Sequence, residues 1–105
     1  MKHVLLDDVF DPALFRAFGD PTRIGLVATL MRSGGEANVS TIAEGAPVDL
    51  SVVSRHLKEL VNVGVLEVER RGRERWYRLR YEVLITHFSE LVRQLHALRD
   101  GDACC

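Results

Sequence analysis

The sequence predicts one mainly α-helical domain carrying a small β-hairpin, and three observations make that prediction. Apolar residues recur at three- and four-residue intervals through most of the chain. Asp20, Asn38 and Asp49, residues of the kind that cap helix N-termini, each stand directly before such a run. Between residues 65 and 79 the pattern changes to apolar and charged residues alternating on either side of a glycine, the mark of paired strands. At 105 residues, one domain spanning 1–105 is expected, with a modest core and a mobile tail from about 99 onward.

Phe10, Leu14, Phe15 and Phe18 set a first helix at about 11–18, with Pro12 near its start and Gly19 ending it. Asp20 and Pro21 open a second helix, whose apolar face is Ile24, Val27, Ala28, Leu30 and Met31 and which Ser33-Gly34-Gly35 stops. Asn38 caps a short third helix over 39–45, with Ile42 and Ala43 inward. After the tight turn Ala46-Pro47-Val48, Asp49 caps a fourth helix that runs to Val63 and stops at Gly64, with Val53, Leu57, Leu60 and Val61 inward. Two short helices joined by a brief turn read as helix-turn-helix. Strands at 65–69 and 75–79 then flank Arg70-Arg71-Gly72-Arg73-Glu74, which completes the winged-helix order. A last helix covers about 81–98, where Leu84, Phe88, Leu91, Leu95 and Leu98 are spaced like a coiled-coil seam. That seam either covers the domain's own core or meets a second copy of the chain.

The net charge of −1 hides a segregation. Residues 1–50 carry four Lys and Arg against seven Asp and Glu, residues 51–80 eight against four, and residues 81–105 two against four. A basic middle between acidic flanks is the footprint of a polyanion partner, with a solvated charged hairpin as the plainer account. No run is long and apolar enough for a membrane span, and the first ten residues, with Asp7 and Asp8, do not read as a secretory signal; a cytoplasmic protein is expected.

A helix-turn-helix reads duplex DNA with the N-terminal part of its second helix in the major groove. Ser51, Val52, Ser54 and Arg55, with His56 nearby, are therefore the candidate base contacts. The guanidinium fork of Arg55 matches the two acceptors of guanine, and Val52 offers methyl contact to thymine. Lys58 is placed for the phosphate backbone. Arg71 and Arg73 flank Gly72 at the wing tip and are expected at phosphates or in the minor groove. In the alternative, Arg70 and Arg75 pair with Glu69 and Glu74 across the hairpin as surface ion pairs of little worth.

Four stretches together resemble the ArsR/SmtB family of metal- and ligand-responsive repressors. They are Phe15-Arg16-Ala17-Phe18-Gly19-Asp20-Pro21-Thr22-Arg23, Val53-Ser54-Arg55-His56-Leu57, the run from Leu60 to Leu66, and the Arg-rich wing ending Trp76-Tyr77-Arg78-Leu79. The resemblance covers roughly residues 10–98. It implies a homodimer joined through the first and last helices, binding to an inverted-repeat operator in double-stranded DNA, and release when an effector binds. The family usually has glutamine at the position of Leu50 and a small polar residue at that of Val52, so this chain departs from it on the reading helix.

The resemblance also implies two sensing sites, and their ligands are missing. The Cys-Val-Cys of the family's arsenic site falls on Asn38, Val39 and Ser40, and its zinc site on the last helix falls on Tyr81, Val83, Gln94 and Ala97. What remains is the vicinal pair Cys104-Cys105. Adjacent Cα atoms lie about 3.8 Å apart, short of the roughly 4.4–6.8 Å of a relaxed disulfide, so a structural disulfide is not expected. Two thiols suit a trivalent organoarsenical or a two-coordinate mercuric ion; arsenite would need a third ligand from elsewhere. No resident cofactor is required, and Cys104 and Cys105 are the candidate metal ligands for an effector of trivalent arsenic or another soft metal ion. The alternatives are idle thiols in a fraying tail, another effector (mercury, antimony, zinc or thiol oxidation), or a thiol-redox enzyme. Asp100 and Asp102 beside the pair oppose thiolate formation and so argue against the enzyme. His87 and Glu90, three apart on the last helix, could make a weak zinc half-site, with a solvated or interface role as the plainer account.

Overall fold

The computed structural model describes residues 11–101. In chain order the elements are α1 (Pro12–Phe18), α2 (Pro21–Arg32), β1 (Glu36–Asn38), α3 (Val39–Glu44), α4 (Leu50–Asn62), β2 (Leu66–Arg71), β3 (Glu74–Leu79) and α5 (Tyr81–Arg99). Three helix starts have side-chain caps that satisfy otherwise orphaned N–H groups. Asp11 accepts from the Ala13 amide at 3.0 Å, Asp20 from Arg23 at 3.1 Å and Asn38 from Thr41 at 2.9 Å. Pro12 and Pro21 follow the first two caps, where a missing N–H costs nothing. Asp49 holds the N-cap position of α4 but its side chain makes no capping bond; its backbone carbonyl instead accepts from Val52 and Val53.

The sheet is a three-stranded antiparallel one in the order β1-β3-β2, so β1 adds a strand to the expected hairpin. Ala37 faces Tyr77 across β1 and β3, and Val68 faces Tyr77 across β2 and β3. The hairpin is also tighter than its sequence suggests. Its strands run to Arg71 and resume at Glu74, which pair directly and leave Gly72 and Arg73 as a two-residue loop. Gly72 has φ +64°, and hairpin loops that open with a positive φ favour glycine there. Gly35 is required for a second reason: at φ +94°, a Cβ would meet the Tyr81 hydroxyl at 1.9 Å. Its carbonyl accepts from the Leu79 amide at 2.9 Å, fastening the end of α2 to the sheet.

Leu30, Ile42, Val53, Leu57, Leu60 and Val65 are fully buried, and Leu14, Leu26, Val27, Leu66, Tyr77 and Leu79 complete most of the core around them. Each such aliphatic side chain contributes about 1.5–3 kcal/mol by leaving water. The inward face of α2 differs from the expected one: Leu26 is buried with Val27 and Leu30, whereas Ile24 and Met31 are exposed. The long last helix contributes no buried residue at all. Leu84 and Phe88 pack on the core's edge, with Phe88 stacked on Phe18 at 6.0 Å. Further along, Leu95 and Leu98 are 56% and 61% exposed with Val92 exposed beside them, and Ile85 is exposed nearer the helix start. The expected seam is thus split, its first half against the domain and its second half open. The described residues span 55 × 24 × 22 Å, an elongated shape with a radius of gyration of 16.3 Å, against about 13 Å for a compact chain of this size.

Candidate nucleic-acid interface

The helix α4 runs thirteen residues without Gly or Pro and divides cleanly into two faces. Val53, Leu57 and Leu60 point into the core with no exposed surface. A Schellman motif ends the helix: the Val65 amide donates to the Leu60 carbonyl at 3.0 Å and the Gly64 amide to Val61 at 3.1 Å, with Gly64 at φ +87°. The helix is therefore fixed at its base while its other face meets solvent. Ser51, Arg55 and Lys58 are exposed there, and Val52 and Ser54 are half-buried. Leu50 is 54% exposed. Among the described residues, the side chains of Arg55 and Lys58 have no ion-pair or hydrogen-bond partner.

His56, grouped with the base contacts by its place in the sequence, is turned elsewhere. Its Nδ1 accepts a 3.2 Å hydrogen bond from the Arg23 guanidinium, which requires that nitrogen to be unprotonated. The Asp20 carboxylate lies 3.7 Å from the same atom, beyond hydrogen-bonding range. Arg23 also donates to the carbonyls of Ala17 at 2.9 Å and Arg16 at 3.3 Å. This junction ties the end of α1 and the start of α2 to the middle of α4. The Asp20-Pro21-Thr22-Arg23 and Ser54-Arg55-His56-Leu57 stretches thus meet in space, a contact that their separate positions in the chain do not reveal.

The wing has two unlike faces. On one, Arg71 reaches Glu36 at 2.8 Å and Glu69 at 2.9 Å and lies over the Trp76 ring at 4.6 Å. Arg78 is held by Glu67, and Glu74 accepts from Asn38 and Trp76. Bonding to these carboxylates raises the pKa values of Arg71 and Arg78 above the ordinary arginine value. The other face leads from buried Leu66, Tyr77 and Leu79 out through Val68 to Arg70 and Arg75. Neither Arg70 nor Arg75 pairs with Glu69 or Glu74, and with Arg73 at the turn they have no partner among the described residues. The two expected tip contacts are therefore in different states, Arg71 clamped and Arg73 unpaired.

Two positions of the missing sensor ligands have structural roles instead. Asn38 caps α3, and the Tyr81 hydroxyl donates to the Gly34 carbonyl at 3.3 Å. His87 packs edge-on to Phe15 and Phe88, with its Nε2 buried and unpartnered among the described residues. Glu90 is engaged by Arg93 and Gln94, chiefly Arg93, which lowers its pKa from 4.5 to about 2. No group of three or more possible metal-binding side chains occurs among the described residues. Cys104 and Cys105 lie outside them. No helix among the described residues is long and apolar enough to cross a membrane.

Known proteins fit this architecture. A helix-turn-helix domain family matches residues 18–69. A probable mercury resistance operon repressor of Streptomyces lividans is 34% identical over 95 residues, covering 87% of this chain and 71% of that one. Among solved structures, a possible transcriptional regulator for arsenical resistance is 32% identical with a TM-score of 0.61, over 91% of this chain and 83% of that one. An ArsR family transcriptional regulator superposes with a TM-score of 0.71 at 26% identity, over 83% of this chain and 93% of that one. With its α3–α4 pair, its wing and these relatives, the chain belongs to the ArsR/SmtB family of winged helix-turn-helix transcriptional repressors.

Proposed function

We propose that this chain is a homodimeric repressor that grips an inverted-repeat operator in double-stranded DNA and lets go when a thiophilic effector binds Cys104 and Cys105. One observation carries the DNA half of the reading: the solvent face of α4 presents hydroxyls and unpaired cations beside an arginine-bearing wing. Ser51, Val52, Ser54 and Arg55 read base edges, with Arg55 on guanine, and Lys58 and Arg73 hold phosphates. Arg71 contributes only as far as its two carboxylates release it. His56 acts by holding α4 to α2 rather than by touching a base. The exposed apolar residues of α5 support the dimer, because Ile85, Val92, Leu95 and Leu98 left in water are best covered by a second copy of the chain. Two reading helices about one DNA turn apart, roughly 34 Å, then match a repeated half-site.

The effector in this reading is trivalent arsenic, as an organoarsenical or arsenite, or another soft metal ion. Its support is the vicinal thiol chemistry together with the mercury and arsenical roles attached to two relatives. Binding at the tail of the dimer helix would change how two half-sites are spanned, and each ~1.4 kcal/mol of coupling changes DNA affinity tenfold. The test is fluorescence anisotropy on a labelled duplex from upstream of the chain's own coding sequence. Binding should weaken steeply with salt. Phenylarsine oxide, arsenite or mercuric ion should release the wild-type protein but not the Cys104→Ser/Cys105→Ser variant. Release that survives in the variant would move the sensor elsewhere. Replacing Arg55 by Ala should cost about 1–3 kcal/mol and relax sequence preference.

A further inference from the structure

We infer that the cleft between α4 and the wing seats a DNA phosphodiester, gripped from the helix by Lys58 and from the strands by Arg75 in the cleft and Arg70 paired across from it, so that the wing's working cations lie on its inner face and not at Arg71. The inference rests on the DNA-binding reading and assigns residues within it.

Cross-strand partners share a face, and residues two apart along a strand share it too. The partners Leu66 and Leu79, Val68 and Tyr77, and Arg70 and Arg75 therefore form one face. Its inner end is buried under α4 and its outer end is two arginines. The wing's carboxylates Glu67, Glu69 and Glu74, and the facing Glu36 of β1, belong to the opposite face, where they hold Arg71, Arg78, Trp76 and Asn38. The chain thus neutralises one side of its wing and leaves the side toward the reading helix cationic.

Placement of Arg70 directly opposite Arg75 sharpens the point. Like charges facing each other across a hairpin destabilise it, and no carboxylate lines the cleft to relieve them. A phosphate does relieve them, and the guanidinium fork suits its oxygens. Ser51, Ser54 and Arg55 line the helix side of the same cleft, where the bases would lie, and Val68 and Tyr77 give it an apolar floor against which a sugar can lie. The cleft is continuous with the exposed face of α4, so a backbone seated there runs beside the bases that the helix reads.

The test compares Arg70→Gln, Arg75→Gln and Arg71→Gln in the full chain, bound to a random-sequence duplex over a salt series. For Arg70→Gln and Arg75→Gln, the slope of log affinity against log salt should shrink by about 0.9 per protomer bound, and melting temperature should hold or rise as the facing charges are separated. Arg71→Gln should leave the slope nearly unchanged. Unchanged slopes for both inner-face variants, with wild-type binding intact, would overturn the assignment alone. A wild-type chain that shows no salt-dependent duplex binding would remove the DNA reading and this assignment with it.

Discussion

The helices α4 and α5 are both amphipathic, yet they resolve their apolar sides in opposite ways. Val53, Leu57 and Leu60 of α4 are wholly enclosed by the domain, while nineteen-residue α5 only half-buries Leu84 and Phe88 and fully buries no residue. What α4 leaves outside is hydroxyl and cation; what α5 leaves outside is Ile85, Val92, Leu95 and Leu98. The surplus on each helix names its partner. A helix with its core settled and unpaired positive charge outward is finished except for a polyanion. A helix with an open aliphatic row leaves apolar surface in water, the feature on which the proposed dimer rests. The proposed division of labour, one helix for DNA and one for a second protomer, rests on this difference in which face remains unsatisfied.

The largest effect is expected at the enclosed side of α4. Replacement of Leu57 by Ala should cost about 2–5 kcal/mol in urea unfolding, because the cavity left beneath the helix cannot close fully. A smaller but more selective effect is expected on α5. Leu95→Glu should leave the domain folded, convert dimers to monomers in sedimentation velocity, and lower operator affinity by roughly a hundredfold as two linked sites become one. A folded dimer that tolerates Glu at Leu95 would mean that the open row has another use. Next comes the junction that joins the two halves: Asp20→Ala removes the cap of α2 and should cost about 0.5–2 kcal/mol, read as a fall in melting temperature.

The smallest effect is local to α5. Glu90 carries a pKa lowered to about 2, mainly by Arg93. Its pairing with Arg93 is therefore present above the ordinary carboxylate value of 4.5 and is lost as the pH falls toward 2. Carbon-detected NMR titration of the Glu90 carboxyl should show that depressed midpoint, and Arg93→Ala should return it toward 4.5. Because Arg93 is exposed and Glu90 only half-buried, global stability should barely respond.

Much of this was legible in the residue order. Asp20-Pro21 and Asn38 announce helix starts through local hydrogen bonding, and Gly64 announces the end of α4 through its left-handed backbone. Such signals act over a few residues, so a sequence can carry them openly. The strand β1 could not be read the same way: three residues are too few for alternation, and Ala37 is a strand residue only because Tyr77 lies across from it. The inward face of α2 was equally underdetermined. Ile24, Val27, Ala28 and Met31 make one helical stripe and Leu26, Val27 and Leu30 another, and only tertiary packing chooses the second. On the candidate site, exposure of Ser51, Arg55 and Lys58 follows from helical spacing. The diversion of His56 to Arg23, and the sorting of arginines between two wing faces, follow from contacts between distant segments.

The central claim is that two copies of α4, each beside its cationic wing, read one DNA duplex. Selection of bound duplexes from a random-sequence pool, followed by sequencing, tests this most directly. The account predicts enrichment of an inverted repeat whose half-site centres lie about 10–10.5 base pairs, or a multiple of that, apart. A pool that emerges unenriched, or one enriched for a single unrepeated site, would contradict it.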